Sequence, residues 1–228
     1  MNPARHKLYF YLQNPDMKYL VFHNPRCACT TVKQWHSRVI HPTLTDTFVD
    51  HTKIKYSIDH LEEHPDWKRI LVVRDPVDRL VSVMNHSIVS NYIQGWNELP
   101  KAERIERFIE LIDNGGRVLD PHFQQQYIHR PGFFTDIVRI EDGNLIERLN
   151  ELTGAVVPDI HANVTAEKRD IADSLLHEGA RHGYNKKRAF DYAKFELMTR
   201  ADLNDKHLGV IWREYYNDFS YYAEPSNR

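Results

Sequence analysis

In the first third of this 228-residue chain, apolar residues gather in short unbroken runs. Beyond it they recur at spacings of three and four. Tyr19, Leu20, Val21 and Phe22 form one run, and Ile70, Leu71, Val72 and Val73 another. Runs this short, bounded by polar residues, predict strands buried on both faces. Each leads directly into helix chemistry. The first is followed by a loop of small and polar residues and a helix expected to begin at about Thr30, continue over Val32–Ile40 and stop near His41 and Pro42. The second is followed by Asp75 in an N-cap position and Pro76 at the first helical position. Val77, Leu80, Val81, Met84 and Ile88 then share one helical face.

Downstream, KAERIERFIELIDN, from Lys101 to Asn114, puts Ile105, Phe108, Ile109 and Ile112 on one face of an amphipathic helix closed by Gly115 and Gly116. TDIVRIEDGNLIERLNELTG, from Thr135, predicts a strand over Ile137–Ile140 and a helix that buries Leu145, Ile146, Leu149 and Leu152. Strands alternating with helices predict an α/β fold. The expectation is a single domain over residues 1–228, with a mainly parallel central sheet flanked by helices and a ligand at the carboxyl ends of the strands.

The two strand-to-helix junctions also carry the candidate chemistry. A strand feeding a helix through a tight loop aims several backbone N–H groups, and the positive end of the helix dipole, at one spot suited to an anion. In Pro25-Arg26-Cys27-Ala28-Cys29-Thr30-Thr31, Arg26 stands at the tip, Thr30 and Thr31 offer hydroxyls, and Ala28 keeps the loop slim. The loop is not a Walker loop, because it lacks the G-x-x-x-x-G-K-[ST] spacing and contains no glycine. At the second junction Arg74 ends the strand and Ser82 follows eight residues later on the helix, a pair able to grip one phosphate from two sides. Two such grips imply a ligand with two separate anionic groups.

Composition narrows the classes. A net charge of −2 argues against a nucleic-acid binder that depends on bulk positive charge. The 14 histidines are scattered without metal-ligand spacing and read as surface and loop residues, so no metal is expected. Cys27 and Cys29 are the only cysteines. A disulfide across one residue would be strained, so both are read as reduced thiols in a reducing, cytoplasmic setting. No apolar run approaches the roughly 18 residues of a membrane span, and the N-terminus lacks a signal-peptide core. The expectation is a soluble protein without a transmembrane segment, whether complete or trimmed at the front.

PRCACTTVKQW, from Pro25, resembles the loop that binds the 5′-phosphosulfate in sulfotransferases using 3′-phosphoadenosine 5′-phosphosulfate (PAPS), particularly the carbohydrate sulfotransferases. VRDPVDRLVS, from Val73 to Ser82, resembles their 3′-phosphate motif, in which an arginine and a serine eight apart hold the ribose phosphate. GVIWREYYNDFSYY, from Gly209, is similar to the family's C-terminal helix, whose aromatics would pack it against the sheet. The resemblance implies a P-loop-like sulfotransferase fold, PAPS as donor, 3′-phosphoadenosine 5′-phosphate as product, no metal, and a hydroxyl acceptor such as a glycan or glycolipid. It assigns Pro25, Arg26, Cys27, Ala28, Cys29, Thr30 and Thr31 to the phosphosulfate, and Arg74 and Ser82 to the 3′-phosphate. Arg26 replaces the family's usual lysine. Its planar fork neutralises oxyanion charge but is never deprotonated.

LDPHFQQQYIHR, from Leu119, resembles a region that lies near the transferred group in the family. His122 is the candidate general base, since an imidazole titrating near 6.5 takes a hydroxyl proton at neutral pH without an extreme shift. A carboxylate from the 59–63 region is the other candidate, and a packing or capping role for His122 stays open. Asn163 and Thr165 are weaker ligand candidates. Glu141 reads as structural. The basic run RHGYNKKR from Arg181 reads as a solvated helix end or as an attractor for an anionic acceptor such as a glycan. The polar segment 43–67 reads as a solvated loop with a short surface helix, or as a segment that borders the acceptor site or closes over the nucleotide. Two other classes remain open on the residues alone: a small-molecule kinase, and a non-catalytic nucleotide- or glycan-binding module.

Overall fold

The fold is taken from a computed structural model, which describes residues 11–43, 64–89, 93–115, 122–126, 132–158, 160 and 196–223. They form an α/β protein with one four-stranded sheet and, among the described residues, six α-helices. Its residues fall into two compact units that interleave along the chain. One comprises 1–75, 124–162 and 220–228, and the other 76–123 and 163–219.

The first unit is built on the sheet. Its strands are β1 (Tyr11–Asn14), β2 (Tyr19–His23), β3 (Lys68–Val73) and β4 (Asp136–Arg139), side by side in that order. β1 runs antiparallel to β2, while the β2–β3 and β3–β4 pairs are parallel. The β1 strand lies outside the apolar runs that marked the others. The turn that follows it explains its pairing: Asn14 accepts the Met17 N–H through its side chain, and Lys18 takes a left-handed φ of 51° that turns the chain back. β4 spans Asp136–Arg139, one residue earlier than the apolar pattern suggested, and Ile140 begins a 3₁₀ turn to Asp142.

Alternation along β2 and β3 places their side chains in two cores. Tyr19, Val21, Ile70 and Val72 meet Val32 and Trp35 of α1 (Cys29–Ile40), and Ile146 and Leu149 of α4 (Leu145–Thr153). Leu20, Phe22, Leu71 and Val73 meet Tyr11, Trp67, Phe133, Phe134, Tyr221 and Tyr222 on the opposite face. Burial on both faces is what makes these strands uninterrupted apolar runs. Trp35 is fully buried, and its indole N–H donates to the Asn150 side chain at 2.9 Å, which pins α1 to α4. Asn150 in turn donates to the Val157 carbonyl at 2.7 Å, so the chain leaving α4 is held to the same point.

The second unit is helical. It contains α2 (Pro76–Val89), α3 (Lys101–Asp113) and α5 (Asp205–Glu214). Val77, Leu80, Val83, Met84 and Ile88 of α2 pack with Ile105, Phe108, Ile109 and Ile112 of α3 and with Val210, Ile211 and Tyr215. Gly115 closes α3 at φ 78°, with its N–H on the Ile112 carbonyl. The start of α5 is fixed by a reciprocal cap, in which Asn204 accepts the His207 N–H and His207 returns to the Asn204 N–H. The expected single C-terminal helix is two: α5 ends at Glu214, and α6 (Tyr216–Ala223) begins after a break at Tyr215. At the break the Tyr215 ring is fully buried and its hydroxyl donates to the Phe123 carbonyl at 2.6 Å. Tyr221 and Tyr222 pack on the sheet as expected, but Trp212 and Tyr216 are exposed. No helix among the described residues is long and apolar enough to cross a membrane.

Candidate functional site

β2 and β3 are adjacent and parallel, with His23 opposite Val72, so the segments that leave them emerge side by side at one end of the sheet. The first is the loop from Asn24 to Ala28. Cys27 N–H closes a turn on the Asn24 carbonyl at 3.1 Å, and Val32 N–H reaches Ala28 at 3.0 Å to open α1. Within the loop Arg26 (φ 68°) and Ala28 (φ 50°) are left-handed, while Cys27 between them is not. Alternating handedness of this kind is a backbone pattern found in anion-binding concavities, with the Cys27 N–H here taken by the Asn24 carbonyl.

Each left-handed non-glycine residue costs about 1 to 2 kcal/mol, a strain that persists only where the surroundings fix it. No side chain caps the start of α1 and its first turn holds no acidic residue, so the field at this helix end stays positive. Thr31 is buried and Thr30 half-buried at that end.

The second segment carries Arg74. Its guanidinium Nη1 donates to the Arg26 carbonyl at 3.4 Å, so the arginine that ends β3 faces the tip of the first loop. Thus Pro25–Thr31 and Arg74 come together. Ser82 and His122 belong to the second unit. Ser82 lies half-buried on α2, on the face that also carries Arg79 and His86, at spacings of three and four. Arg79 is fully buried and donates to the His122 carbonyl at 2.8 Å, while the His122 ring sits 5.7 Å from that of His86. Arg79 therefore fixes the His122 backbone over that helix face. Asp59, Glu62 and Glu63, the basic run at 181–188, Asn163 and Thr165 lie outside the described residues.

Two residues of the first unit organise the loops more than the sequence suggested. Gln126 is completely buried. Its side-chain oxygen accepts the Arg74 N–H at 2.8 Å and the Cys27 thiol at 2.9 Å, and its side-chain nitrogen donates to the Arg74 carbonyl at 2.7 Å. Glu141, in the turn after β4, accepts the Asp75 N–H at 2.8 Å and the Tyr222 hydroxyl at 2.9 Å. This is the structural duty expected of it. Arg139 completes the arrangement by donating to the Tyr221 carbonyl and lying over the Tyr222 ring. Burial first, and then the Glu141 carboxylate, push the Tyr222 phenol well above its ordinary range, so it stays a neutral donor.

His23, buried at the end of β2, is pushed down to about 3 by burial and then by the charges of Lys33 and His36. It is therefore neutral near physiological pH and adds no charge beside the loop. The only sequence signal for Gln126 was a polar run of three glutamines, and nothing in it distinguishes the buried one.

No protein-family model, characterised protein or solved structure matches the chain.

Proposed function

We propose that this chain is a sulfotransferase that moves the sulfuryl group of PAPS to a hydroxyl acceptor, with a carbohydrate hydroxyl favoured by the motif resemblance. The observation that carries the reading is the loop of alternating handedness at 26–28, with the Arg74 guanidinium against its tip. A donor with a 5′-phosphosulfate and a 3′-phosphate on one ribose needs two cationic grips within the span of a nucleotide. The loop at 25–31 and Arg74 leave the ends of adjacent parallel strands, which supports two such grips close together.

The residues present fit the donor. The uncapped start of α1 suits a tetrahedral oxyanion, a small side chain stands at Ala28, and a permanent cation occupies position 26. In the reaction, the acceptor oxygen bonds to sulfur as the bond from sulfur to the 5′-phosphate oxygen breaks, and 3′-phosphoadenosine 5′-phosphate leaves. Arg26 and the loop amides stabilise charge that gathers on the sulfonate and the leaving phosphate, a preorganised contribution that needs no rearrangement during the step. Arg74 holds the 3′-phosphate, so binding energy remote from the sulfur fixes its position.

Ser82 as second phosphate ligand and His122 as general base are assigned on the motif resemblance. The anchoring of the His122 carbonyl by Arg79 supports a fixed position for that base. The test is transfer of label from sulfur-labelled PAPS to a panel of glycans, lipids and small alcohols. Labelled product with wild type, formed at least about a hundredfold more slowly with His122→Ala, is the expected result. Phosphate transfer from ATP instead would support a kinase. Tight binding of PAPS with no transfer to any acceptor would support a binding module.

A further inference from the structure

β2 and β3 stop pairing at His23 and Val72, and β3 and β4 stop at Val73 and Arg139. The peptide of Arg74 therefore lies just past both ladders, where its N–H and C=O need other partners. Gln126 supplies both, bonding to the peptide on each side as a neighbouring strand would. The same side-chain oxygen accepts the thiol of Cys27, the residue between the two left-handed positions of the first loop. Its main-chain oxygen accepts the Asn24 side chain at 3.5 Å. One buried amide thus ties the strained loop to the strand end that carries Arg74.

From this we infer that Gln126 is a positioning residue, which fixes the separation of the two anion grips and so selects ligands carrying both a 5′ and a 3′ anionic group. The inference rests on the proposed PAPS reading and adds to it the residue that sets selectivity for the doubly charged nucleotide. The amide does not touch the ligand; it acts through Cys27 and Arg74. Both acceptor sites of its oxygen are used, so a side chain without that oxygen releases the loop and the strand end together. Each grip then still binds its own anion, but no longer at the spacing one ribose requires. What is lost is the advantage of two sites engaged at once.

Calorimetric titration of wild type, Gln126→Leu and Gln126→Glu with adenosine 3′,5′-bisphosphate and adenosine 5′-phosphate tests this. Glutamate keeps the shape and the oxygen but, when ionised, loses the donor to the Arg74 carbonyl. Gln126→Leu is expected to weaken the bisphosphate by about 20-fold or more and the monophosphate by less than about threefold, with Gln126→Glu between wild type and Leu. A merely structural role would lower the melting temperature and leave the ratio of the two affinities unchanged, and that result overturns the inference.

Alkylation of Cys27 in a Cys29→Ser background, well below the melting temperature, reads the clasp without any nucleotide. Gln126→Leu should raise its rate about tenfold or more, in line with the loss of the thiol's partner and of local protection. Should wild type fail to prefer the bisphosphate, the PAPS reading fails by itself. The clasp is then decided by alkylation, and an unchanged rate refutes it.

Discussion

Arg74→Ala removes one charged fork and little else. The main chain of Arg74 is held on both sides by Gln126, and the side-chain bond to the Arg26 carbonyl, at 3.4 Å, is too long to hold the first loop in place. The substitution thus takes the guanidinium away while leaving the backbone of both segments where it is. A hydrogen bond to a charged group contributes about 1.5 to 3 kcal/mol. For a half-buried, two-pronged contact to a phosphate, a loss of about 3 kcal/mol corresponds to a weakening of roughly a hundredfold.

Titration of adenosine 3′,5′-bisphosphate should show that loss, while adenosine 5′-phosphate should weaken by less than about threefold if Arg74 serves only the 3′ group. Arg74→Lys should recover part of the affinity, because it restores the charge but not the planar fork. Raising the salt should shrink the difference, since a half-exposed ion pair is screened. Equal losses for both nucleotides would refute the assignment and move Arg74 to the 5′ anion, beside the loop it touches.

Other expectations follow from single residues. His122→Ala should lower the rate of transfer by about a hundredfold to ten-thousandfold while leaving bisphosphate affinity intact; a parallel loss of affinity would mean that His122 binds rather than catalyses. Stability should fall as pH drops below about 6.5, because between that value and about 3 the unfolded chain binds a proton at His23 that the folded one refuses. The slope from this group reaches about 1.4 kcal/mol per pH unit, and denaturant melts of His23→Leu should lack it; an unchanged slope would place the proton elsewhere. Trp35→Ala should cost about 3 to 5 kcal/mol of unfolding free energy. The same change at Trp212, which is 50% exposed, should cost under about 1 kcal/mol, and comparable costs would contradict the described core.

The central elements were legible because their burial is two-sided or strictly periodic. Ile70 to Val73 could hardly be anything but an internal strand, and Ile105, Phe108, Ile109 and Ile112 mark the inner face of α3 at helical spacing. The tight turn from β2 into a helix was legible in its residue types, though α1 begins one residue earlier than Thr30, at Cys29. The left-handed backbone at Arg26 and Ala28 was not, because neither residue is a type that favours it. β1 was hidden because an edge strand of four residues gives little periodicity, and its polar turn dominates the local pattern. At the break, Tyr215 is bonded to Phe123, 92 residues away in the chain, a contact that no local pattern encodes. Gln126 was invisible for the same reason: its partners are 52 and 99 residues distant, and its burial depends on where two strands happen to stop.

The proposed function requires a pair of anion grips that recognise one doubly charged adenosine. Calorimetric affinities for adenosine 3′,5′-bisphosphate, adenosine 5′-phosphate and ATP with magnesium, compared on the wild-type chain, test that claim most directly. The bisphosphate should bind at least about a hundredfold more tightly than either of the others. Equal affinity for all three, or a preference for ATP with magnesium, would contradict it.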